Sequence, residues 1–233
     1  MSIDYSYDRA IQSAYVITIK DNSVSETLSA RAIQSCKDIG MPVSRWNAVY
    51  TEKSNDRFNI KFPLQITEDN ICRYIKRTNT ELTATEIACA LSHISLWFHC
   101  IKLDKPIVIL EHDAVMQEKI ELHNFYNAIH YLGCEIYKKN SNSVKPIPLM
   151  GHYSANHKFM YCAHAYAIDP CIAKNMLAYV LQNGLMFSLD VLLRTDLFSV
   201  QHDQKVYAYE IMGETTILNR NENNPIANDQ LTL

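Results

Sequence analysis

The feature that most constrains the fold is a run of five apolar residues, 106–110. The carboxylates of Glu111 and Asp113 follow this run directly, with only His112 between them. An apolar run without a polar interruption predicts a strand covered on both faces, as in a parallel sheet with helices above and below it. Ligands of open α/β sheets bind just outside the carboxyl ends of such strands. In an extended segment Glu111 and Asp113 project to the same side, where their repulsion favours a divalent cation or a raised pKa. A polar strand end with solvated acids explains the same residues equally well.

The bulk composition indicates one large domain without a strongly charged partner. A chain of 233 residues with 48% hydrophobic content can bury a substantial core. The net charge is −3 and the basic residues are dispersed, which does not favour non-specific binding to duplex nucleic acid. The amino terminus is polar, and no apolar segment approaches the length of a membrane span. We therefore expect a soluble cytoplasmic protein.

The cysteines predict reduced thiols rather than disulfides or a zinc site. There are seven of them, they are scattered, and no two are separated by two residues. Cys36, Cys89 and Cys100 lie within apolar patterns of helical spacing. We interpret these three as small core residues.

The first part of the chain predicts a β-α-β unit followed by an irregular segment. The β-branched run 14–19 predicts a strand, and the apolar spacing from Val24 to Ile39 predicts a helix that Gly40 ends. A second strand is predicted over residues 43–49. Residues 51–80 are polar with few apolar anchors, which predicts surface loops and a short helix.

A capping box marks the start of a strong helix. Thr83 and Glu86 have the spacing at which a hydroxyl and a carboxylate satisfy each other's backbone donors. Apolar residues then recur at three- and four-residue spacing until Asp104 and Pro106 close the helix. This cap accounts for Glu86 without any ligand.

The second part of the chain predicts further strands and helices and a polar end. Residues 140–148 predict a surface loop, residues 159–168 a strand, and Asp169 caps a helix that Gly184 ends. Asp190 then stands among apolar residues, where an acid usually caps, pairs or reacts. A further strand is predicted over residues 206–211. We expect a single domain over residues 1–218 and a frayed polar tail over residues 219–233.

Several segments, taken in order along most of the chain, resemble glycosyltransferase family 25, which includes lipooligosaccharide and collagen galactosyltransferases. The most specific segment is 82–93, in which Glu86 is followed by an alanine-cysteine step and then by Leu-Ser-His. The other matching segments are 15–19, 46–49, 107–114 and 165–168, together with the later Asp190.

The chain departs from the family pattern in two places. Family members commonly read Glu-Asp-Asp where this chain has His112 between its two acids. A metal-binding DxD-type motif tolerates this exchange because the middle position is not the principal ligand, and the exchange either lowers metal affinity or adds an imidazole ligand. Members also usually carry an arginine soon after the first strand, where this chain has Glu26 and Thr27. Arg31 comes later, so we assign it no role in binding diphosphate.

The resemblance implies a GT-A fold, a single α/β/α domain whose Rossmann-like half holds a nucleotide sugar. It implies that Mn²⁺ or Mg²⁺ on Asp113 and Glu111 offsets the charge of the departing nucleoside diphosphate. Glu111 would alternatively contact the ribose or a metal-bound water. An inverting displacement also needs a base that deprotonates the acceptor hydroxyl, and Asp190 is the candidate. Asp190 could instead orient the acceptor or cap the short helix that follows it.

The resemblance also implies a set of donor-binding residues. Val16, Ile17 and Thr18 would flank the nucleotide base, although strand residues of this kind equally belong to a core. His93 would line the site, with Ser92 beside it, and the alternative for His93 is a hydrogen-bonded structural histidine near the middle of its helix. The remaining members of the predicted donor-binding set are Glu86, Glu111 and His112. His164 and His202 are weaker candidates for approaching the metal from later strands.

The predicted function is therefore transfer of a sugar, most simply from a UDP-sugar, to a hydroxyl acceptor such as a surface glycan. One alternative is glycosylation of a hydroxymethylated nucleobase in phage DNA, which would place the enzyme in the host cytoplasm and which the near-neutral charge does not favour. A second alternative is a nucleotide-sugar-binding domain that lost turnover when His112 replaced the middle acid. A metal-dependent phosphoester hydrolase is a third, for which the chain offers few convergent ligands.

Overall fold

The computed structural model describes residues 13–53, 56–67, 75, 77–120, 127–133, 163–202 and 206–211. The predictions for the loop 140–148, for the start of the strand at 159 and for the tail 219–233 fall outside these residues. The single domain over residues 1–218 stays a prediction for the same reason.

In the described part of the chain, eight strands form two sheets. The strands are β1 Ser13–Thr18, β2 Val43–Asn47, β3 Ile107–Leu110, β4 Ala114–Met116, β5 Ile129–Tyr131, β6 Ala165–Ile168, β7 Val200–His202 and β8 Ala208–Glu210. Six of them form one sheet in the order β2-β1-β3-β6-β5-β7, and β4 pairs with β8 separately. β1 is parallel to β2 and β3, and β5 is parallel to β7, whereas β6 is antiparallel to β3 and β5. The predicted α/β class with a mixed, mainly parallel sheet is confirmed.

Side-chain caps begin the three long helices where the sequence predicts them. The helices are α1 Ser23–Asp38, α2 Leu64–Thr67, α3 Ala84–Leu103, α4 Pro170–Asn183 and α5 Leu189–Leu192, with a 3₁₀ turn at Arg57–Asn59. Asn22, Thr83 and Asp169 each accept a hydrogen bond from a backbone N–H of the first turn, and Thr83 forms the full capping box with Glu86. None of the described helices is both long and apolar enough to cross a bilayer.

The central strand β3 is covered on both faces, as its apolar sequence predicts. Ile107 and Ile109 lie in a core with Trp97 of α3, whereas Val108 and Leu110 lie in a second core on the α1 side. All four strand residues are fully buried. Because β1 runs parallel to β3 and places Val16 beside Leu110, the carboxyl ends of both strands open at the same edge of the sheet.

The described cysteines are not in disulfides, as the sequence predicts. Cys36, Cys89, Cys100 and Cys171 are all free cysteines in the described part of the chain. Cys36 and Cys100 are buried core residues as expected, but Cys89 is only partly buried and faces the carboxyl end of β3.

Candidate active site

A tight turn after β3 sets the direction of the two predicted acids. The N–H of Ala114 donates to the carbonyl of Glu111 at 3.1 Å, so β4 begins only a few residues beyond the end of β3. The N–H of Ile211 donates to the carbonyl of Asp113 at 3.1 Å, which joins this turn to the end of β8. Asp113 is 3% exposed and therefore lies inside the protein, whereas the side chain of Glu111 is 26% exposed. A strand end with solvated acids does not describe Asp113.

Helix α3 presents two further polar groups to Glu111. Nε2 of His93 lies 3.3 Å from Oε1 of Glu111, and Sγ of Cys89 lies 3.8 Å from the same oxygen. Cys89 and His93 are four residues apart, so they occupy one face of the helix. The structure places His93 beside the acidic strand end, and its role in lining the donor site stays a prediction.

A buried hydrogen-bond chain fixes the imidazole of His93. Nε1 of Trp97 donates to the hydroxyl of Tyr166 at 2.9 Å, and that hydroxyl lies 2.9 Å from Nδ1 of His93. An indole N–H can only donate, so the Tyr166 hydrogen is available to Nδ1, and in the tautomer in which Nδ1 accepts it the imidazole proton is on Nε2, towards Glu111. The rings of His93 and Tyr166 also stack, with centroids 5.6 Å apart. Burial lowers the pKa of His93 to about 3, so the ring is neutral.

Several carboxylates crowd this end of the sheet. Burial, and after it the charge of Asp190, raises the pKa of Glu111 to about 7. The pKa of Glu210 at the end of β8 is raised by burial and then by the charges of Glu111 and Asp190. Burial raises the pKa of the Cys89 thiol, with further contributions from Glu111, Asp190 and Asp113. Like charges this close favour protonation or a cation among them.

Asp190 reaches the cluster from α5. It occupies the first turn of that helix, and its Oδ1 accepts the N–H of Ala163 at 3.0 Å. The side chain is partly buried, and its charge acts on Glu111, Glu210 and Cys89. The structure thus brings Asp190 to the acidic strand end from a position nearly eighty residues later in the chain.

Two of the predicted donor-binding residues have structural contacts. Oε2 of Glu86 accepts the N–H of Thr83 at 2.8 Å within the capping box. The hydroxyl of Ser92 accepts the N–H of Val49 at 2.8 Å and lies 3.1 Å from the Val49 carbonyl, which ties α3 to the segment after β2. These contacts explain both residues without a ligand, and their roles in donor binding stay predictions.

The three predicted residues of β1 are also buried. Val16 lies in the core on the α1 side, Ile17 lies in the core on the α3 side, and the hydroxyl of Thr18 donates to the carbonyl of Val16 at 3.2 Å. They stand at the carboxyl end of the strand beside β3, where a nucleotide base would lie in this architecture. Their contact with donor stays a prediction.

The other predicted histidines differ in their surroundings. His112 is partly buried, and burial lowers its pKa to about 4. His164 is buried, its pKa is lowered to about 4 by burial, and its Nδ1 lies 3.9 Å from Oε2 of Glu210. A Cβ at Gly133 would stand 2.5 Å from Nε2 of His164, so only glycine permits this approach. The side chain of His202 lies outside the described part of the chain.

Three residues of this region, Trp97, Tyr166 and Glu210, are not among the predicted site residues. Trp97 has the spacing of the apolar stripe of its helix and Tyr166 lies in a predicted strand, although a buried indole N–H and a buried hydroxyl need partners. Glu210 lies within the predicted strand 206–211 and ends β8. The detectable signal was its place near the carboxyl end of that predicted strand, the kind of position that marked Glu111.

The arrangement offers ligands of two kinds. The carboxylates supply the oxygen atoms that Mg²⁺ and Mn²⁺ prefer. Separately, ligand atoms of Cys89, His93 and Glu111 all lie within 4.8 Å of one another, a spacing that could hold a metal ion.

Comparisons with known proteins give one family match and a distant structural likeness. The family model described as Glycosyltransferase family 25 (LPS biosynthesis protein) matches residues 11–193. Two similar solved structures are of LgtC, one an active-site mutant and the other the galactosyltransferase with donor and acceptor sugar analogs. They are 13% and 12% identical to this chain with TM-scores of 0.42, and each match covers 81% of this chain and 72% of the other. That likeness is too distant to support an argument about function. No curated protein matches the chain significantly.

Proposed function

The chain belongs to glycosyltransferase family 25, and from this premise we propose that it transfers a sugar from a UDP-sugar to a hydroxyl acceptor, with inversion and with Mn²⁺ or Mg²⁺. As a member of the family it is a glycosyltransferase with the GT-A type of α/β fold. The observation that carries the finer proposal is the convergence of Glu111, Asp113 and Asp190 at the carboxyl end of β3.

The residues present fit a divalent cation. Asp113 is buried, and Glu111 has its pKa raised to about 7 by burial and by Asp190, so the cluster carries more negative charge than its surroundings favour. A cation held by Asp113 and Glu111 would relieve this repulsion, and when bound it would neutralise the diphosphate of the departing nucleotide. Carboxylate and phosphate oxygens suit Mn²⁺ and Mg²⁺ rather than softer metals.

Asp190 serves in this proposal as the general base. Its carboxylate takes the proton of the acceptor hydroxyl while that oxygen bonds to the anomeric carbon. The bond between the anomeric carbon and the diphosphate oxygen breaks, and its electron pair leaves with the nucleoside diphosphate. The N–H of Ala163 supports this role because it holds one carboxylate oxygen, Oδ1, in a fixed direction.

The remaining predicted residues position the donor. His93, fixed through Tyr166, lies 3.3 Å from Glu111 and limits where this carboxylate can turn. His112 follows Glu111 at the strand end, and burial keeps it neutral and able to accept a hydrogen bond or ligate a cation. We also propose that three residues of β1, Val16, Ile17 and Thr18, flank the nucleotide base. Glu86 and Ser92 contact the donor in this proposal.

A single experiment tests donor and metal together. The protein is incubated with Mn²⁺ and a panel of nucleoside diphosphate sugars, and both thermal stabilisation and donor hydrolysis are measured. We expect UDP-sugars to give both signals. Asp113→Asn should lose both while keeping the circular dichroism of the wild type, whereas Asp38→Asn, an exposed acid on α1, should keep both. Mn²⁺-dependent hydrolysis that persists in Asp113→Asn would remove the metal assignment.

The acceptor is tested in the same assay once the donor is known. Oligosaccharides of surface glycans are compared with DNA that carries hydroxymethylated bases. Transfer to the oligosaccharides is expected, and transfer only to the DNA would replace the proposed acceptor.

A further inference from the structure

One group of side chains beside the proposed donor site has a ligand chemistry that the transfer reaction does not need. Cys89 and His93 lie four residues apart on one face of α3, and Glu111 reaches the same point from the end of β3. A thiol, an imidazole and a carboxylate form a typical ligand set for zinc, whereas Mg²⁺ and Mn²⁺ avoid thiolates.

Two of the three distances between ligand atoms are close to the edges of a tetrahedron around one ion. Metal–nitrogen and metal–oxygen bonds of about 2.0–2.2 Å and a metal–sulfur bond of about 2.3 Å place ligand atoms roughly 3.3–3.7 Å apart at a tetrahedral ion. Nε2 of His93 and Oε1 of Glu111 are 3.3 Å apart, and Sγ of Cys89 and Oε1 of Glu111 are 3.8 Å apart. All three ligand atoms lie within 4.8 Å of one another. Small rotations of side chains would complete the site.

The imidazole is buried and directed at this point. His93 is 1% exposed, and within the described residues its Nε2 has no partner in hydrogen-bond geometry, although Glu111 lies close to it. Its other nitrogen, Nδ1, lies 2.9 Å from the Tyr166 hydroxyl, which Trp97 holds in place. A histidine ligand is usually oriented in this way by a hydrogen bond from its second nitrogen.

We propose that Cys89, His93 and Glu111 bind a thiophilic divalent ion, Zn²⁺ in the first place, with solvent or a further carboxylate as the fourth ligand. On binding, the Cys89 thiol releases its proton to solvent and sulfur ligates as thiolate. The imidazole proton moves from Nε2 to Nδ1 and is donated to the Tyr166 oxygen, whose two lone pairs also accept the Trp97 N–H.

The site shares Glu111 with the cation set proposed for the donor, and this gives Zn²⁺ a regulatory effect. An ion that ligates Glu111 together with Cys89 withdraws this carboxylate from the donor cation. Zn²⁺ therefore inhibits transfer at concentrations at which Mn²⁺ activates it. This consequence rests on the proposed function, whereas the binding of Zn²⁺ does not.

Cobalt provides a direct probe of the site in the full-length protein. Co²⁺ is added to metal-free protein, and a sulfur-to-cobalt charge-transfer band in the near ultraviolet reports thiolate ligation while intense visible bands report tetrahedral geometry. We expect both signals. They should saturate at one cobalt ion per chain, and Zn²⁺ should displace the cobalt and abolish them. Cys89→Ser should abolish the charge-transfer band, and Cys171→Ser, a partly buried thiol on α4, should keep it. Retention of the band in Cys89→Ser would overturn the proposal.

A second variant covers the case in which Cys89→Ser does not fold. His93→Gln removes only the imidazole ligand. Loss of a second-shell partner alone costs roughly 10–100-fold in metal affinity, so cobalt binding should weaken by at least this factor. Unchanged cobalt affinity in that variant would equally overturn the site. Zinc inhibition is then measured as the fraction of each protein's own zinc-free activity, and it should disappear in Cys89→Ser. Absence of donor hydrolysis altogether would reject the proposed function but leave the cobalt result to decide the metal site.

Discussion

Helix α3 carries two clusters that resemble each other in composition but differ in surroundings. On one face His93 lies 2.9 Å from the Tyr166 hydroxyl, which accepts the Trp97 N–H. Six residues later, about 120° around the helix, Nε2 of His99 lies 2.9 Å from the hydroxyl of Tyr15. Trp46 packs against His99 with ring centroids 4.8 Å apart. Each cluster contains a histidine, a tyrosine and a tryptophan.

The difference between the clusters lies in what the second nitrogen of each histidine faces. The ring of His93 points to Glu111, and the charge of Asp190 acts on it. His99 lies in a half-buried groove formed with Trp46, Ser95 and Lys102, and the described lining of this groove contains no carboxylate. The aromatic cluster is therefore a way to fix an imidazole, and the proposed chemistry uses the one of the two clusters that lies beside the acids of a strand end. The His99 cluster serves as an internal control for the other.

The largest effect should come from Asp190→Asn, because the charge of Asp190 acts on the His93 cluster of α3. Without a carboxylate to take the acceptor proton, we expect transfer to fall by about 10²–10⁴-fold, while thermal stabilisation by the donor is kept. Asp104→Asn, at the exposed carboxyl end of α3, is the control and should transfer at the wild-type rate. The measurement is the rate of sugar transfer at saturating donor. Normal transfer by Asp190→Asn would show that Asp190 is not the base.

A paired exchange of the two histidines tests the comparison directly. His93→Gln removes the group that orients Glu111, and it should raise the Mn²⁺ concentration for half-maximal donor hydrolysis by roughly 10–100-fold. His99→Gln leaves the acidic cluster intact and should leave that concentration unchanged. Manganese titrations of both variants provide the measurement. Equal shifts in the two variants would mean that His93 acts only through the stability of α3.

The sequence predicts the framework of this site because the decisive signals are local. The capping box at Thr83, the apolar strand β3 and the cap at Asp169 each depend on neighbouring residues, and each is found where the pattern places it. The acids after β3 were recognisable for the same reason. A strand buried on both faces must end at a sheet edge, and polar residues placed there have few other positions to occupy.

The parts that sequence could not predict depend on distant pairs. Trp97 and Tyr166 are 69 residues apart, and the position of β6 beside β3 brings Tyr166 to Trp97 and His93 on α3. Cys89 was interpreted as a core residue because its spacing fits the apolar stripe, yet it lies at the margin of that stripe and contacts Glu111. Helical spacing gives the face of a residue but not the element that this face meets.

A smaller effect should appear in the pH dependence of stability. In the folded protein the pKa of Glu111 is about 7 rather than 4.5, so between these values the folded state holds a proton that the unfolded chain has lost. The free energy of unfolding therefore falls as pH rises through this window, and this contribution is fully present only below pH 4.5. Glu111→Gln lacks it, so the variant should gain stability relative to wild type as pH rises. Denaturant unfolding with a chelator present measures the difference, and parallel pH curves would contradict it.

The smallest expected effect concerns the start of the helix that carries both clusters. Thr83→Ala removes a side-chain cap and should lower the free energy of unfolding by about 1 kcal/mol, as Asn22→Ala should at the start of α1, without changing the KM for donor. Glu86→Gln should leave the free energy of unfolding unchanged, because glutamine preserves a capping box, but it removes the charge of the side chain. If Glu86 stands at the donor site as proposed, that variant keeps its stability and raises the KM for donor. A KM equal to that of wild type would show that Glu86 acts only in the capping box. The acids that contact the donor would then be those that follow strand ends and the one on α5.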